Sequence, residues 1–189
     1  MTDVARQTDP TWQTAGPPHG EDAVLVAVQA ALVGRPGVLP AARALSHFGE
    51  HSLGWLAVSA LGALLDPRRR RGWITAGSAA LIAHAGAVVI KRVVRRPRPH
   101  HPAIAVNVDT PSSLSFPSAH AASTAAAAIL LGRAAGLRTG LLPTLLVTPM
   151  ALSRLVLGVH YPSDVAAGAL VGAAAAAAAA RLDDCGGSK

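Results

Sequence analysis

The sequence predicts an all-α protein, a polytopic bundle of about six helices embedded in a membrane. Of the 189 residues, 51% are hydrophobic and 14% are charged, and the mean hydropathy is +0.38. Charged residues form about 25% of an average soluble protein, so this chain is depleted in charge. The apolar residues lie in long segments without strand-like alternation. Aromatic residues are only 3% of the chain, so packing depends on small side chains, which let membrane helices approach closely.

Glycine, proline and charged residues separate the first three predicted helices. The first, at about 22–33, is short and fits an interfacial, a re-entrant or a short transmembrane segment. The second covers about 52–65 and the third about 73–95. Proline ends a helix because it has no amide hydrogen and because it restricts the residue before it. The residues that end these segments are Gly34, Pro36, Gly37, Pro67, Pro97 and Pro99.

Three further helices follow a connection of mixed polarity. They are predicted at about 117–136, 139–158 and 162–182. Pro117 and Pro162 fit the first position of a helix, where an amide hydrogen is not needed. The uncharged runs are shorter than the roughly 20 residues of a span, but flanking arginines extend them by reaching the membrane surface. Aromatic residues at segment ends are expected at the membrane interface: Trp55, Trp73 and Tyr161.

The chain is expected to form one domain, at 21–182. Residues 1–20 are rich in Pro, Thr, Gly and charge and are expected to be disordered, without the basic start or cleavage site of a signal peptide. Residues 183–189 form a polar tail with the single cysteine, Cys185, so no intrachain disulfide is possible. Apolar segments that stay in the protein must therefore provide any membrane targeting.

The distribution of basic residues predicts an orientation. The net charge of +7 would suit nucleic acid, but the basic residues lie in short runs at segment ends without interleaved aromatics, which argues against that partner. If all six segments cross, nine Lys and Arg residues lie on one side and eight on the other. Without Lys91, Arg98 and Arg154, which are assigned to chemistry below, the distribution is nine against five. The positive-inside rule then predicts a multi-pass protein of the inner (plasma) membrane with its site on the external (periplasmic) face.

Three polar clusters at the ends of apolar segments carry the chemical information. They are Lys91 with Arg98-Pro99, Pro117-Ser118-Ala119-His120, and Ser153-Arg154 followed by His160 and Asp164. In the six-helix topology all three reach the same membrane face. Charged groups beside apolar segments are costly, so such a cluster is a functional site by default. Together they supply three cations, two histidines and one carboxylate, which can transfer a phosphate through histidine without a metal.

Each cluster has a chemical use and a simpler alternative. Lys91 and Arg98 suit phosphate oxygens, whereas other basic residues of the same run are expected only to contact lipid head groups: Arg92, Arg95 and Arg96. The amides of Ser118 and Ala119 in a first helical turn suit an anion, whereas the alternative for Ser118 is helix capping.

The two histidines are the candidate reactive groups. His120 lies where it can protonate a leaving oxygen, and the alternative is a head-group contact. Asp164 follows His160 by four residues, so its carboxylate can orient the imidazole for attack on phosphorus. Arg154 adds a third positive charge. The alternative for this cluster is an ordinary capping aspartate beside a surface histidine.

The three motifs resemble those of the type 2 phosphatidic acid phosphatase superfamily, which includes bacterial acid phosphatases and haloperoxidases. Its signature is Lys, six residues, Arg-Pro; then Pro-Ser-Gly-His; then Ser-Arg, five residues, His, three residues, Asp. The chain has every spacing between Lys91 and Asp164, and it differs at Ala119, where the family has Gly. A positive φ at that position would disfavour Ala, and we expect a helical backbone there instead.

The resemblance implies specific roles and no metal or other cofactor. It implies that His160 is a nucleophile that forms a phosphohistidine, that Asp164 orients it, and that His120 is the general acid. It implies phosphate binding by the remaining residues: Lys91, Arg98, Ser118, the Ala119 amide and Arg154. The expected partner is a lipid phosphate in the bilayer.

The substrate is inferred from features outside the motifs. The Arg and Ala bias and the stretch 46–55 resemble family members that remove the 5-phosphate from a decaprenyl-linked phosphoribose for cell-wall arabinan synthesis. Alternatives are undecaprenyl pyrophosphate, phosphatidylglycerophosphate or phosphatidate as substrate, a lipid phosphotransferase, and a non-catalytic protein that binds anionic lipid. Further polar residues on the predicted catalytic side are candidates for head-group contacts: His47, Glu50, His51, His100, His101 and Asp109. His84 is expected to be a packed, hydrogen-bonded histidine.

Overall fold

The computed structural model describes residues 16–137 and 140–186. Seven α-helices occupy this part of the chain: α1 Glu21–Leu32, α2 Val38–Gly49, α3 Leu53–Leu65, α4 Arg70–Val94, α5 Ala119–Ala134, α6 Leu141–Val156 and α7 Pro162–Gly186. Short 3₁₀ turns, Glu50–Ser52 and Pro67–Arg69, precede α3 and α4. Each of the six predicted segments is helical, and the all-α prediction is confirmed. Most of the predicted disordered segment, residues 1–15, lies outside the described residues.

Two boundaries differ from the prediction. Helix α2 lies in a stretch that the sequence analysis left without structure. Helix α5 begins at Ala119, with Ser118 as its N-cap, so the prediction of a start at Pro117 was wrong by two residues. Helix α7 continues to Gly186, so the described part of the predicted polar tail, including the exposed Cys185, is helical.

Helix α5 lies at the centre of the bundle, against α4, α6 and α7. Its buried residues are almost all small, which lets neighbouring backbones approach closely. A Cβ on Gly168 or Gly172 of α7 would collide with the carbonyl oxygens of Ser118 and Ala122. Trp55 is also part of this core, because only 6% of it is exposed and its indole donates to Thr124 at 3.1 Å. Trp55 therefore packs inside the bundle and does not face lipid.

The outer surface of the bundle is apolar. Among the described residues, the stretches Pro67–Val94 and Pro162–Asp183 are long and apolar enough to cross a bilayer, and Leu141–Val156 is apolar but shorter. Large apolar side chains point away from the bundle on α3, α4 and α7: Leu61, Leu64, Ile82, Val89 and Leu170. Lipid is the environment in which such a surface is stable.

Helices α1 and α2 form a hairpin at one end of the bundle and do not cross it. Each has 12 residues, or about 18 Å, against roughly 30 Å of hydrocarbon. Glu21, at the start of α1, accepts a hydrogen bond from Ser163 at the start of α7. Gln29, near the end of α1, donates to the carbonyl oxygen of Val156 at the end of α6. The hairpin therefore covers the end where α6 stops and α7 begins, and α1 is not a short span.

Candidate active site

The three polar clusters meet at the end of the bundle that the α1–α2 hairpin covers. Lys91 lies near the end of α4, His120 at the start of α5 and Arg154 near the end of α6. A cavity of about 990 Å³ opens between them. Six of the eight predicted site residues line it: Lys91, Arg98, Ala119, His120, Arg154 and His160. Ser118 and Asp164 are fully buried behind this wall.

Main-chain carbonyls hold two of the three cations in place. The Nζ of Lys91 donates to the carbonyl oxygens of Leu114 and Ser115, each at 3.0 Å. Arg98 donates through Nε to the carbonyl of Ser112 at 2.7 Å and through Nη1 to that of Val159 at 2.6 Å. Burial lowers the pKa of Arg98 to about 10. Arg98 therefore remains cationic at neutral pH, and both side chains have fixed positions.

Arg154 is the least compensated cation of the cavity. It is only 2% exposed, its Nε donates to Ser153 Oγ at 3.3 Å, and its Nη2 is buried without a hydrogen-bond partner in the described part of the chain. None of the three cations, Lys91, Arg98 and Arg154, forms an ion pair with a described carboxylate. Three partly or fully buried cations without an ion pair to a described carboxylate indicate a site for an anion, because an unpaired buried charge is costly.

The start of α5 adds hydrogen-bond donors to this wall. Ser118 caps the helix, since its Oγ accepts a hydrogen bond from the amide of Ala121 at 3.4 Å, and its own amide donates to the carbonyl of Asp164 at 2.9 Å. Ala119 is the first helical residue, and its amide has no acceptor within the helix. Non-glycine residues with positive φ in the described chain are His51, Ser52 and Arg95. The prediction that the Ala119 backbone is simply helical is therefore confirmed.

His120 is oriented by the hairpin. Its Nε2 lies 3.0 Å from the carbonyl oxygen of Ser46 in α2, so Nε2 carries a proton and donates it to that carbonyl. A Cβ on Gly49 would lie 2.6 Å from Cδ2 of His120, so glycine at this position leaves room for the ring. The sequence analysis did not identify Ser46, because a carbonyl contact carries no side-chain signal.

His160 faces Asp164 inside the protein. The Nδ1 of His160 lies 3.6 Å from Oδ2 of Asp164, which is longer than a hydrogen bond, and Nδ1 has no other partner in the described structure. Such contacts are commonly loose without a substrate and tighten when one binds. Burial lowers the pKa of His160 to about 3, against the opposing effect of Asp164, so the ring is neutral at neutral pH. With Nδ1 directed at the carboxylate, Nε2 is the nitrogen available to a ligand in the cavity.

Asp164 is fixed by partners that the sequence analysis assigned otherwise. Its Oδ2 accepts from the amide of Tyr161 at 2.8 Å, and its Oδ1 accepts from Nη1 of Arg96 at 2.9 Å. Nη2 of Arg96 donates to Glu21 at 2.6 Å, and the guanidinium lies 4.1 Å from the centre of the Tyr161 ring. The prediction that Arg96 only contacts lipid head groups was wrong. No local pattern could reveal this pairing, because Glu21 and Arg96 are 75 positions apart.

The five other histidines that the sequence analysis considered fall into two groups. His47, His51 and His84 line the cavity. The prediction that His84 is hydrogen-bonded was wrong at one atom, because its Nδ1 is buried without a partner among the described residues. His100 and His101 lie in the connection and do not line the cavity, and each ring has a local main-chain contact.

Comparisons with known proteins agree with this geometry. Residues 71–184 match the PAP2 superfamily. A decaprenylphosphoryl-5-phosphoribose phosphatase of Mycobacterium tuberculosis is 64% identical over 172 residues, covering 91% of this chain and 94% of that protein. The Mycolicibacterium smegmatis protein of the same name is 70% identical over 151 residues, covering 80% of this chain and 82% of that protein.

Two solved structures share the fold. The first transmembrane PAP2-type phosphatidylglycerolphosphate phosphatase from Bacillus subtilis has a TM-score of 0.63 and 21% identity, over 92% of this chain and 91% of that one. Aquifex aeolicus LpxE has a TM-score of 0.61 and 20% identity, over 84% of this chain and 93% of that one.

Proposed function

The chain belongs to the PAP2 superfamily, and we propose that it is a membrane phosphatase that removes the 5-phosphate from decaprenylphosphoryl-5-phosphoribose through a phosphohistidine on His160. The substrate is that named for relatives 64% and 70% identical to this chain. The product is decaprenylphosphoryl ribose.

The observation that carries the proposal is the set of uncompensated cations around one cavity. Arg154 has a buried, unpartnered Nη2, and Lys91 and Arg98 are held by carbonyls on the same wall. A phosphomonoester brings oxygens that can pair with these cations and can also accept from the amide of Ala119. Fixed donors of this kind stabilise the charge that develops in a phosphoryl-transfer transition state. Ser118 contributes by capping α5 and so fixing the position of that amide.

The first half-reaction forms the phosphoenzyme. The Nε2 lone pair of His160 attacks phosphorus, an N–P bond forms, and the bond from phosphorus to the ribose oxygen breaks. His120 gives a proton to the departing ribose oxygen, so decaprenylphosphoryl ribose leaves as an alcohol. The attack makes the His160 ring cationic, and the buried carboxylate of Asp164 stabilises that charge through Nδ1.

The second half-reaction regenerates the enzyme. Water attacks the phosphorus while His120, now unprotonated, accepts a proton from it. The N–P bond breaks, and inorganic phosphate leaves. The Ser46 carbonyl keeps a proton on Nε2 of His120, because a carbonyl can only accept a hydrogen bond, so Nδ1 is the nitrogen that gives and takes the proton. His120 is thus oriented to act first as an acid and then as a base.

The active site belongs on the external face of the inner (plasma) membrane. Among the residues that the structure describes, eight Lys and Arg residues lie on the side of the catalytic cavity and six on the other side. Lys91, Arg98 and Arg154 are part of the cavity, and Arg96 is paired with Glu21 and Asp164. Without these four the distribution is four against six, so the positive-inside rule predicts that the cavity lies outside.

A substrate panel tests the proposal. Purified protein in detergent is given decaprenylphosphoryl-5-phosphoribose, undecaprenyl pyrophosphate, phosphatidylglycerophosphate and phosphatidate, with EDTA present and an acceptor alcohol added in a parallel series. We expect phosphate release to be fastest from the first substrate, unaffected by EDTA, and abolished in His160→Ala. Preference for another lipid would refute the substrate assignment, and transfer to the alcohol in place of water would identify a phosphotransferase. Unchanged turnover in His160→Ala would refute the mechanism.

A further inference from the structure

The cavity extends well beyond the phosphate-binding wall. One face of α4 lines it over two helical turns, with residues at positions 84, 85, 88, 89, 91 and 92. This stripe is cationic at the Lys91 end, apolar in the middle and polar again at His84. His84 and Lys91 are seven residues apart, which is roughly 10 Å along a helix. The cavity therefore has a second polar region deeper in the bundle.

His51 faces His84 in this second region. The two ring centroids are 6.0 Å apart, and both residues line the cavity. The Nδ1 of His84 is buried without a partner in the described structure, which leaves Nε2 as the ring nitrogen that can meet a ligand. Histidines within membrane helices are costly unless they serve a function. The reaction proposed above does not use the imidazole of either His51 or His84.

The backbone holds His51 in an unfavourable conformation. His51 has a φ of 48° and Ser52 a φ of 62°, both in the left-handed region that non-glycine residues rarely adopt. Ser52 is fully buried, and its Oγ donates to the carbonyl of Ala80 at 3.4 Å. Strained residues of this kind persist where the surroundings impose them, often at ligand sites. Here the turn between α2 and α3 directs an imidazole into the cavity.

We propose that His51 and His84 form a second subsite that binds the phosphodiester group of the lipid substrate. The inference rests on the proposed function, because that substrate carries one phosphate that is hydrolysed and a second that joins the sugar to the lipid. With the first phosphate at Lys91, Arg98 and Arg154, the second lies between it and the hydrocarbon tail. Imidazole N–H groups can donate to the diester oxygens. Val89, which is 60% exposed on the outer surface of α4, lines the same cavity and gives the tail a path to lipid.

Kinetics with two substrates test the subsite. One is decaprenylphosphoryl-5-phosphoribose, and the other is a prenyl monophosphate, which has no second phosphate. His51→Gly removes one ring at a backbone conformation that glycine adopts freely, and His84→Ala removes the other. We expect KM for the phosphosugar lipid to rise at least roughly tenfold in each variant, the effect of losing a hydrogen bond to a charged group. We expect KM for the monophosphate to change less than about threefold. His84→Gln keeps a hydrogen-bond donor, so it should retain part of the affinity for the phosphosugar lipid.

The controls separate the possible outcomes. His100→Ala changes a histidine outside the cavity and should leave both KM values unchanged. Equal losses on both substrates, or no change on either in His51→Gly, would overturn the subsite. Activity of a variant on the monophosphate shows that the variant is folded. If His84→Ala is inactive on both substrates, His51→Gly and His84→Gln test the subsite instead. If the wild-type protein hydrolyses the monophosphate but not the phosphosugar lipid, both the proposed function and the subsite are refuted. If the wild-type protein hydrolyses both substrates and the variants have the same KM values, only the subsite is refuted.

Discussion

Replacing Arg96 by Met should slow the chemical step without weakening substrate binding. Arg96 contacts Oδ1 of Asp164 at 2.9 Å and does not line the cavity, so it acts on His160 through the carboxylate. Without it, Asp164 keeps the hydrogen bond from the Tyr161 amide but is free to rotate away from Nδ1 of His160. A positioning residue of this kind changes kcat more than KM.

The size of the effect follows from the contact. A hydrogen bond between charged groups contributes about 1.5–3 kcal/mol to stability. The Arg96 side chain is 29% exposed whereas that of Asp164 is 0% exposed, so solvent screens part of the interaction. We therefore take the lower part of that range, about 1.5–2 kcal/mol, which corresponds to a loss of roughly 10- to 30-fold in kcat.

The assay measures kcat and KM for phosphate release, together with thermal unfolding in detergent. Arg95→Met is the matched control, because Arg95 is an exposed neighbour, and it should behave like the wild type. Arg96→Lys keeps the charge but cannot bridge Asp164 and Glu21 with a planar fork, so an intermediate kcat is expected. A wild-type kcat in Arg96→Met, an equal loss in Arg95→Met, or a loss confined to KM would each refute the reasoning.

Four further predictions concern the backbone at Ala119, titration of Arg98, titration of His160 and packing of α7. Ala119→Gly should retain wild-type phosphate release, because the backbone there is helical; a large gain would show that this position needs glycine. The pKa of Arg98 is lowered to about 10 by burial, so KM should rise above about pH 10 as this cation is lost, and a flat KM up to pH 11 would contradict this. The pKa of His160 is lowered from 6.5 to about 3 by burial, so the unfolded state binds the proton first as the pH falls. Between these values acid should therefore reduce the free energy of unfolding, and a thermal-unfolding midpoint that stays constant over this pH range would contradict this. Gly172→Ala should lower the free energy of unfolding by about 1–3 kcal/mol, because the added Cβ would meet the carbonyl of Ala122. Gly86→Ala is the control, because a Cβ at that position has nothing within 4 Å. Equal melting temperatures of the two variants would contradict the α5–α7 packing.

The sequence was most informative where function forces polar groups into apolar surroundings. Lys91, His120, Arg154 and His160 lie at helix ends, and alternating helix direction brings these ends to one face. This argument needs only the approximate helix boundaries, so an error of two residues at the start of α5 did not affect it. The motif spacings added the roles that are proposed for the same residues.

What the sequence did not reveal depends on long-range packing. Helix α2 has Pro40 in its first turn and Arg43 and His47 beyond it, so no continuous apolar run indicates a helix. Ala42 is only 4% exposed and belongs to one apolar cluster with Val156 and Leu157, and this contact stabilises the helix at that place. A tertiary contact of this kind has no local pattern, and the same holds for the pairing of Glu21 with Arg96.

The α1–α2 hairpin and the turn after it lie outside residues 71–184, which match the family, yet they contact the reactive groups of the cavity. The carbonyl of Ser46 orients His120, and Glu21 holds the arginine that fixes Asp164. His51, at the end of the same hairpin, faces the deeper part of the cavity. The matched region therefore contains the side chains proposed to bind phosphate and to react, whereas the hairpin orients two of them and borders the space beyond them. Exchanging residues 21–52 with those of a PAP2 protein of different substrate should accordingly change which lipid is preferred more than it changes the phosphohistidine chemistry.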